Sequence, residues 1–143
     1  MVQECHFAAV MSNHDTICLL LVEDNPVDVF LFREWLAKLR DTRVQLIHAE
    51  RVAEGLALLR EHPVDVIFTD LNLPDASGLE AVQRLVAAAE VPVLALTGQQ
   101  DPKLEAQLLK DGACRVVAKD GLTPSAIAEA LHHWIRDKGG ARS

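Results

Sequence analysis

Apolar residues gather in four short runs along this chain, at 17–22, 64–69, 91–96 and 114–118, and each run stops at a polar or reactive side chain. Near-continuous apolar runs of this length predict strands covered on both faces rather than half-exposed ones. A weaker run at 44–48 predicts a fifth, short strand. Between the runs the apolar spacing turns helical. Pro26 suits the first turn of a helix reaching about Arg40, with Asn25 or Asp24 as its cap. A second helix is expected over 52–61, ended by Pro63. A loop marked by Pro74 and Gly78 leads into an alanine-rich helix over 79–89. Asp101-Pro102 opens a helix that stops at Gly112, and Thr123-Pro124 opens a last helix reaching about Lys138. Pro92 falls at the start of its strand, where a missing N–H is tolerated.

Strict alternation of five strands and five helices predicts one α/β domain with a parallel sheet and right-handed crossovers. Residues at the carboxyl ends of parallel strands share one sheet edge. Here that edge collects Glu23 and Asp24, Asp70, Thr97 with Gly98, and Lys119. Carboxylates repel one another by on the order of 1 kcal/mol per pair in water and several times that near a protein. A hard divalent cation relieves the repulsion, and Mg²⁺ held through few carboxylates suits phosphate chemistry. An aspartate able to form an acyl phosphate, with a lysine to neutralise the transferred group, completes the chemistry expected of this edge.

The 143 residues suffice for one domain with a core, expected over 15–138, with 1–14 as a flexible leader and 139–143 as a flexible tail. A formal charge of −7 argues against nonspecific nucleic-acid binding, which needs clustered Lys and Arg. No apolar run nears the roughly 20 residues of a membrane span. The start of the chain lacks the basic residues of a signal peptide. Cys5, Cys18 and Cys114 are odd in number and show no zinc spacing, so they read as reduced thiols and the chain as cytoplasmic.

Four motifs in order, Leu20-Leu-Val-Glu-Asp-Asn-Pro26, Asp70-Leu-Asn-Leu-Pro74 with Ser77-Gly78, Leu96-Thr-Gly98, and Lys119, resemble the receiver domains of two-component response regulators over roughly residues 16–137. The resemblance implies a flavodoxin-like, doubly wound, five-stranded parallel sheet of order 2-1-3-4-5. That order puts the reversal point between strands one and three, where such sheets bind ligands. It implies that Asp70 is the phosphorylated residue. Mg²⁺ or Mn²⁺ would sit on Asp24, Asp70 and the backbone carbonyl of Asn72, with Glu23 acting through water. Thr97, Gly98 and Lys119 would receive the phosphoryl group. The phosphodonor would be a sensor histidine kinase or a histidine phosphotransfer protein. Phosphorylation would shift an inactive–active equilibrium rather than turn over a substrate; at most the domain would catalyse its own phosphorylation and slow autodephosphorylation.

Two positions depart from the family pattern. Val116 occupies the place, three before the lysine, where receivers often carry an aromatic switch, and the chain has no tyrosine. Asp120 follows Lys119 where many members have proline. On the first helix, Phe32, Trp35, Leu36 and Leu39 form the core face. Phe30 falls on the opposite side and Val29 at the border; both lie beside the acids and are candidates for docking the donor. On the last helix Ile127, Leu131, Trp134 and Ile135 face the core, and His132-His133 are solvated. Receivers often dimerise or contact output partners through the fourth helix, fifth strand and last helix; no distinctive charge pattern marks that face here, so a homodimer through it stays open and the output partner is unassigned.

Other functions fit less well. A nucleotide or flavin site needs a glycine-rich cradle after the first strand, where Glu23-Asp24 would repel phosphate. Phosphatases that use an aspartyl phosphate need an acid two residues after the nucleophile, and Asn72 stands there. A degenerate receiver acting as a phosphorylation-independent interaction module is the alternative within the fold. Both a free-standing regulator and a receiver cut from a longer protein agree with the sequence.

Overall fold

A computed structural model describes residues 16–40, 42–98 and 100–142, with side chains through 134. The expected leader 1–14, with Cys5 and His6, lies outside the described residues, as do the side chain of Ile135 and Ser143 at the end of the expected tail. The elements alternate as β1 (Thr16–Val22), α1 (Pro26–Ala37), β2 (Arg43–Ala49), α2 (Val52–Glu61), β3 (Val66–Asp70), α3 (Gly78–Ala88), β4 (Val93–Thr97), α4 (Pro102–Lys110), β5 (Arg115–Ala118), a 3₁₀ turn (Lys119–Gly121) and α5 (Pro124–Arg142). The strands form one parallel sheet in the order β2-β1-β3-β4-β5. No described helix is long and apolar enough to cross a membrane.

The central strands are apolar throughout because both faces are covered. Leu19, Leu21, Val66, Phe68, Leu94 and Leu96 pack under α1 and α5, against Phe32, Ile127 and Leu131. The alternate residues Cys18, Leu20, Val22, Ile67 and Val93 pack on the opposite face with Leu85 of α3. Ala95 joins a third cluster with Val82 and Leu108 under α3 and α4. Strand side chains alternate in direction, so a two-sided core demands an unbroken apolar run.

Several boundaries differ from the sequence pattern. Strands β3 and β4 start and end later than expected, so Asp70 and Thr97 are the last strand residues rather than the first loop residues. Strand β2 is longer than its weak pattern suggested. It lies at the sheet edge, where partial exposure admits Gln45 and His48. Helix α1 ends at Ala37, before Arg40, because Lys38 and Leu39 donate to Trp35 and Leu36 carbonyls in a tighter final turn. Helix α5 runs through Gly139-Gly140 to Arg142, past the stop expected near Lys138.

Candidate functional site

Parallel register explains why the acids meet. Val22 pairs with Thr69 and Asp70 pairs with Leu96, so Glu23 emerges from β1 level with Asp70 on β3. Thr97 pairs with Ala118, which brings Lys119 out one step beyond the end of β4. Pro26 starts α1 at once, and Asn25 caps it, its Oδ1 accepting from the N–H groups of Val27 (2.9 Å) and Asp28 (3.4 Å). The tight turn keeps Glu23 and Asp24 at the sheet edge and sets the first turn of α1 beside them.

Carboxylate oxygens of Glu23, Asp24 and Asp70 lie within 4.8 Å of one another. Glu23 and Asp70 are buried and Asp24 is exposed, so the cluster opens to solvent on one side. With Asn25, Pro26, Asp28, Asn72 and Lys119 they line an open cavity of about 430 Å³. Hard oxygen donors so close together, beside a cavity with room for retained waters, fit a small divalent cation.

Lys119 answers much of this charge. Its Nζ lies 2.9 Å from Glu23 Oε1, 2.8 Å from Asp28 Oδ2 and 3.1 Å from Asp70 Oδ1. Burial works against its charge, but the bonds to Asp28, Glu23 and Asp70 outweigh it and hold the ammonium well above the ordinary lysine range. Burial pushes the Glu23 carboxyl from 4.5 up to about 7, against the hydrogen bonds from Lys119 and the Asn25 N–H, with the nearby Asp70 charge adding to the rise. Asp70 Oδ1 also accepts from the Leu71 N–H at 2.8 Å, which fixes the plane of that carboxylate.

The expected residues are thus drawn together unequally. Glu23, Asp24, Asp70, Asn72 and Lys119 share the cavity. Thr97 stands at the same sheet edge but borders a narrow cleft with Val116, Leu104 and Leu108 on the α4 side. Gly98 is exposed, and a Cβ built on it would meet nothing within 4 Å beyond its chain neighbours, so among the described residues none crowds that position. Val29 does not reach the surface: it is 8% exposed and packs in the core under α1. Its place in the helix turns it inward with Phe32, one turn on. Phe30 is 60% exposed, and Val27 (62%) and Leu31 (38%) flank it on the same helix face.

Two participants carry no motif signal. Asp28 is the third partner of Lys119, and its only sequence clue is a further acid one helical turn past Glu23-Asp24. His48, on β2, bonds through Nε2 to the Glu23 carbonyl at 2.7 Å. Its position opposite Leu21 is a matter of strand pairing that no local spacing reveals.

Comparison with known proteins agrees with this geometry. The profile of the response regulator receiver domain matches residues 19–132. The polar-differentiation response regulator DivK of Brucella ovis is 28% identical over 125 residues, covering 85% of this chain and 98% of DivK. Among solved structures, the signal receiver domain of an HD domain-containing protein from Pseudomonas fluorescens superposes with a TM-score of 0.75 at 23% identity, over 88% of this chain and 91% of that one. The receiver domain of Ssk1 from Saccharomyces cerevisiae, crystallised with the histidine phosphotransfer protein Ypd1, superposes with a TM-score of 0.72 at 23% identity, over 87% and 92% of the two chains. By its motifs, its sheet order and the matched profile, this chain belongs to the response regulator receiver domain family, a regulatory family of two-component signalling.

Proposed function

We propose that Asp70 accepts a phosphoryl group from a phosphohistidine, in a reaction that requires Mg²⁺ or Mn²⁺. The observation that carries this reading is Lys119 at 3.1 Å from Asp70 Oδ1, beside two further carboxylates within 4.8 Å of one another and of Asp70. Asp70 Oδ1 is held by Lys119 and the Leu71 N–H, which leaves Oδ2 to attack phosphorus. A phosphorus–oxygen bond forms as the phosphorus–nitrogen bond breaks, and the electron pair stays on the donor's imidazole. Lys119 neutralises charge on the transferred group. Asp24, Asp70, the Asn72 carbonyl and, through water, Glu23 would hold the cation. When bound, the cation offsets the negative charge of acids and phosphoryl oxygens together. Thr97 and the open space at Gly98 receive the phosphoryl oxygens. Because Thr97 shares its cleft with Val116, Leu104 and Leu108, movement of Thr97 toward Asp70 is felt at α4, with Val116 taking the place of an aromatic relay.

The phosphodonor in this reading is a histidine kinase or histidine phosphotransfer protein, and the module works in the cytoplasm. The receiver domain of Ssk1 was crystallised with such a phosphotransfer protein. The exposed stripe of Val27, Phe30 and Leu31, next to the cavity, supports docking of an apolar helix face there. A homodimer through α4, β5 and α5 has less support, since Leu109 is the one large apolar side chain exposed on that face among the described residues.

Incubation with acetyl phosphate and Mg²⁺, followed by intact-mass measurement, tests the proposal. A gain of one phosphoryl group, abolished in Asp70→Asn and by chelation of the metal, supports it. No gain under forcing conditions, with beryllofluoride also failing to bind, overturns it in favour of a phosphorylation-independent interaction module.

A further inference from the structure

Lys119 spends all three of its donors on carboxylates, one of them outside the acid cluster. An ammonium has three N–H donors. Here they meet Glu23, Asp70 and a third acid, Asp28, which is the nearest of the three at 2.8 Å. Asp28 lies 91 residues away in sequence, in the first turn of α1, and stands outside the group of carboxylates close enough to share one cation. Its side chain is a third exposed, whereas Glu23 and Asp70 are almost wholly buried. A cation on Glu23 and Asp70 therefore competes with Lys119 for two of its three partners and leaves the third untouched.

We propose that Asp28 is a positioning residue that holds Lys119 at the rim of the pocket while a divalent cation occupies the other carboxylates, and releases it to a phosphoryl group on Asp70. The proposal rests on phosphoryl acceptance at Asp70 as read above. Asp28 supplies an alternative anchor, so displacement of Lys119 from Glu23 and Asp70 does not leave a half-buried ammonium without an acceptor. The same bond must break before Lys119 reaches a phosphoryl oxygen. Asp28 accordingly favours cation binding and opposes closure of Lys119 onto the acyl phosphate. Both effects run through one side chain, and that separates this role from a general field effect of one more acid.

The test is a double-mutant cycle on the full chain. Mn²⁺ binding is counted from the free-ion EPR signal, and beryllofluoride binding at saturating Mg²⁺ is followed by tryptophan fluorescence. Trp35 borders a small cleft together with Glu23, Asp28 and Lys119, so its emission follows occupancy of the pocket with or without the lysine. In Asp28→Asn, Mn²⁺ affinity is expected to fall about fivefold, the upper end for a partly exposed ion pair, and beryllofluoride affinity to rise by a similar factor. In the Lys119→Met background the same substitution is expected to change neither appreciably. Asp28→Glu is expected to restore the wild-type balance in part. Equal effects of Asp28→Asn with and without Lys119 would show a plain electrostatic contribution and overturn the proposal, as would no effect in either. If Asp28→Asn fails to give a native circular dichroism spectrum, Asp28→Ser, which keeps a polar group in the first helical turn, repeats the cycle. Failure of the wild type itself to bind Mn²⁺ and beryllofluoride would overturn the phosphoacceptor reading, and the role of Asp28 with it.

Discussion

His48 Nε2 lies 2.7 Å from the backbone carbonyl oxygen of Glu23 and ties the edge strand β2 to the acidic turn after β1. A carbonyl oxygen can only accept, so the ring carries a proton on Nε2. The Glu23 N–H donates to the Ala49 carbonyl at 2.9 Å, and the two bonds together pin both ends of the Glu23 peptide to β2. His48→Ala is expected to cost about 1 kcal/mol of stability in urea unfolding, the net worth of one hydrogen bond. It is also expected to weaken Mg²⁺ binding by isothermal titration, because Glu23 loses its fixed backbone. Full retention of both would show that the turn holds without His48.

Glu23 makes the site sensitive to pH. Its carboxyl is raised from 4.5 to about 7, chiefly by burial. A raised acid favours the folded state below the unfolded value, and that contribution is lost as pH climbs through the folded value. Without metal, stability attributable to Glu23 is therefore expected to decline between pH 4.5 and about 7. Mg²⁺ and the proton compete for this carboxylate, so Mg²⁺ affinity is expected to rise across the same window and level off above it. Calorimetric titration across the window, repeated on Glu23→Gln, checks this. An unchanged pH dependence in that variant would assign the proton to another group.

Asp75, in the loop after β3, caps a helix that is not its own. Arg51 begins α2 without a side-chain cap, and Asp75 supplies one, its oxygens accepting from Val52 N–H at 3.0 Å and Ala53 N–H at 3.1 Å. Desolvation opposes the charged form, but these N–H bonds, with the Arg84 charge, together outweigh it and hold the carboxyl below its ordinary 3.8. Its stabilising contribution is present above 3.8 and lost as pH falls through the lowered value. Asp75→Ala is expected to lower stability by about 1 kcal/mol near neutral pH, as for a lost helix cap. The difference from wild type should shrink in acid, when both are followed by chemical denaturation.

Two glycines should respond very differently to the same change. Gly112 ends α4 with φ +116°, and a Cβ there would lie 2.9 Å from Val86 Cγ1. Gly112→Ala is expected to cost about 2 kcal/mol or more, from left-handed backbone strain and the clash. Gly98→Ala adds its methyl in open space and is expected to melt within about 0.5 kcal/mol of wild type, as surface substitutions do. Any slowing of phosphorylation by acetyl phosphate in Gly98→Ala is then a local effect on the incoming group. Thermal melts and mass spectrometry on the two variants separate these outcomes.

The legible part of the fold rests on a simple constraint. A central parallel strand buried on both faces must be apolar at every position, so the runs that become β1, β3 and β4 stand out without any partner being known. Polar side chains at the ends of such runs mark the sheet edge, and Glu23, Asp24, Asp70 and Lys119 were readable as one pocket for that reason. Strand β2 read as weak because an edge strand is only partly covered. Helical periodicity leaves Val29 at the border of the core face, because border positions are undecided by spacing alone. Packing of α1 on the sheet turned it inward and left Phe30 outside with Val27 and Leu31.

By itself the sequence determined the alternation of elements, the family and the chemistry available at the sheet edge, because burial demands and motif spacing act along the chain. Only the tertiary structure decided how that chemistry is held. The Asp28–Lys119 pair spans 91 residues, the His48–Glu23 bond joins neighbouring strands, and the Asp75 cap joins a loop to a distant helix. They depend on strand register or on where a helix packs, and local spacing carries no record of either.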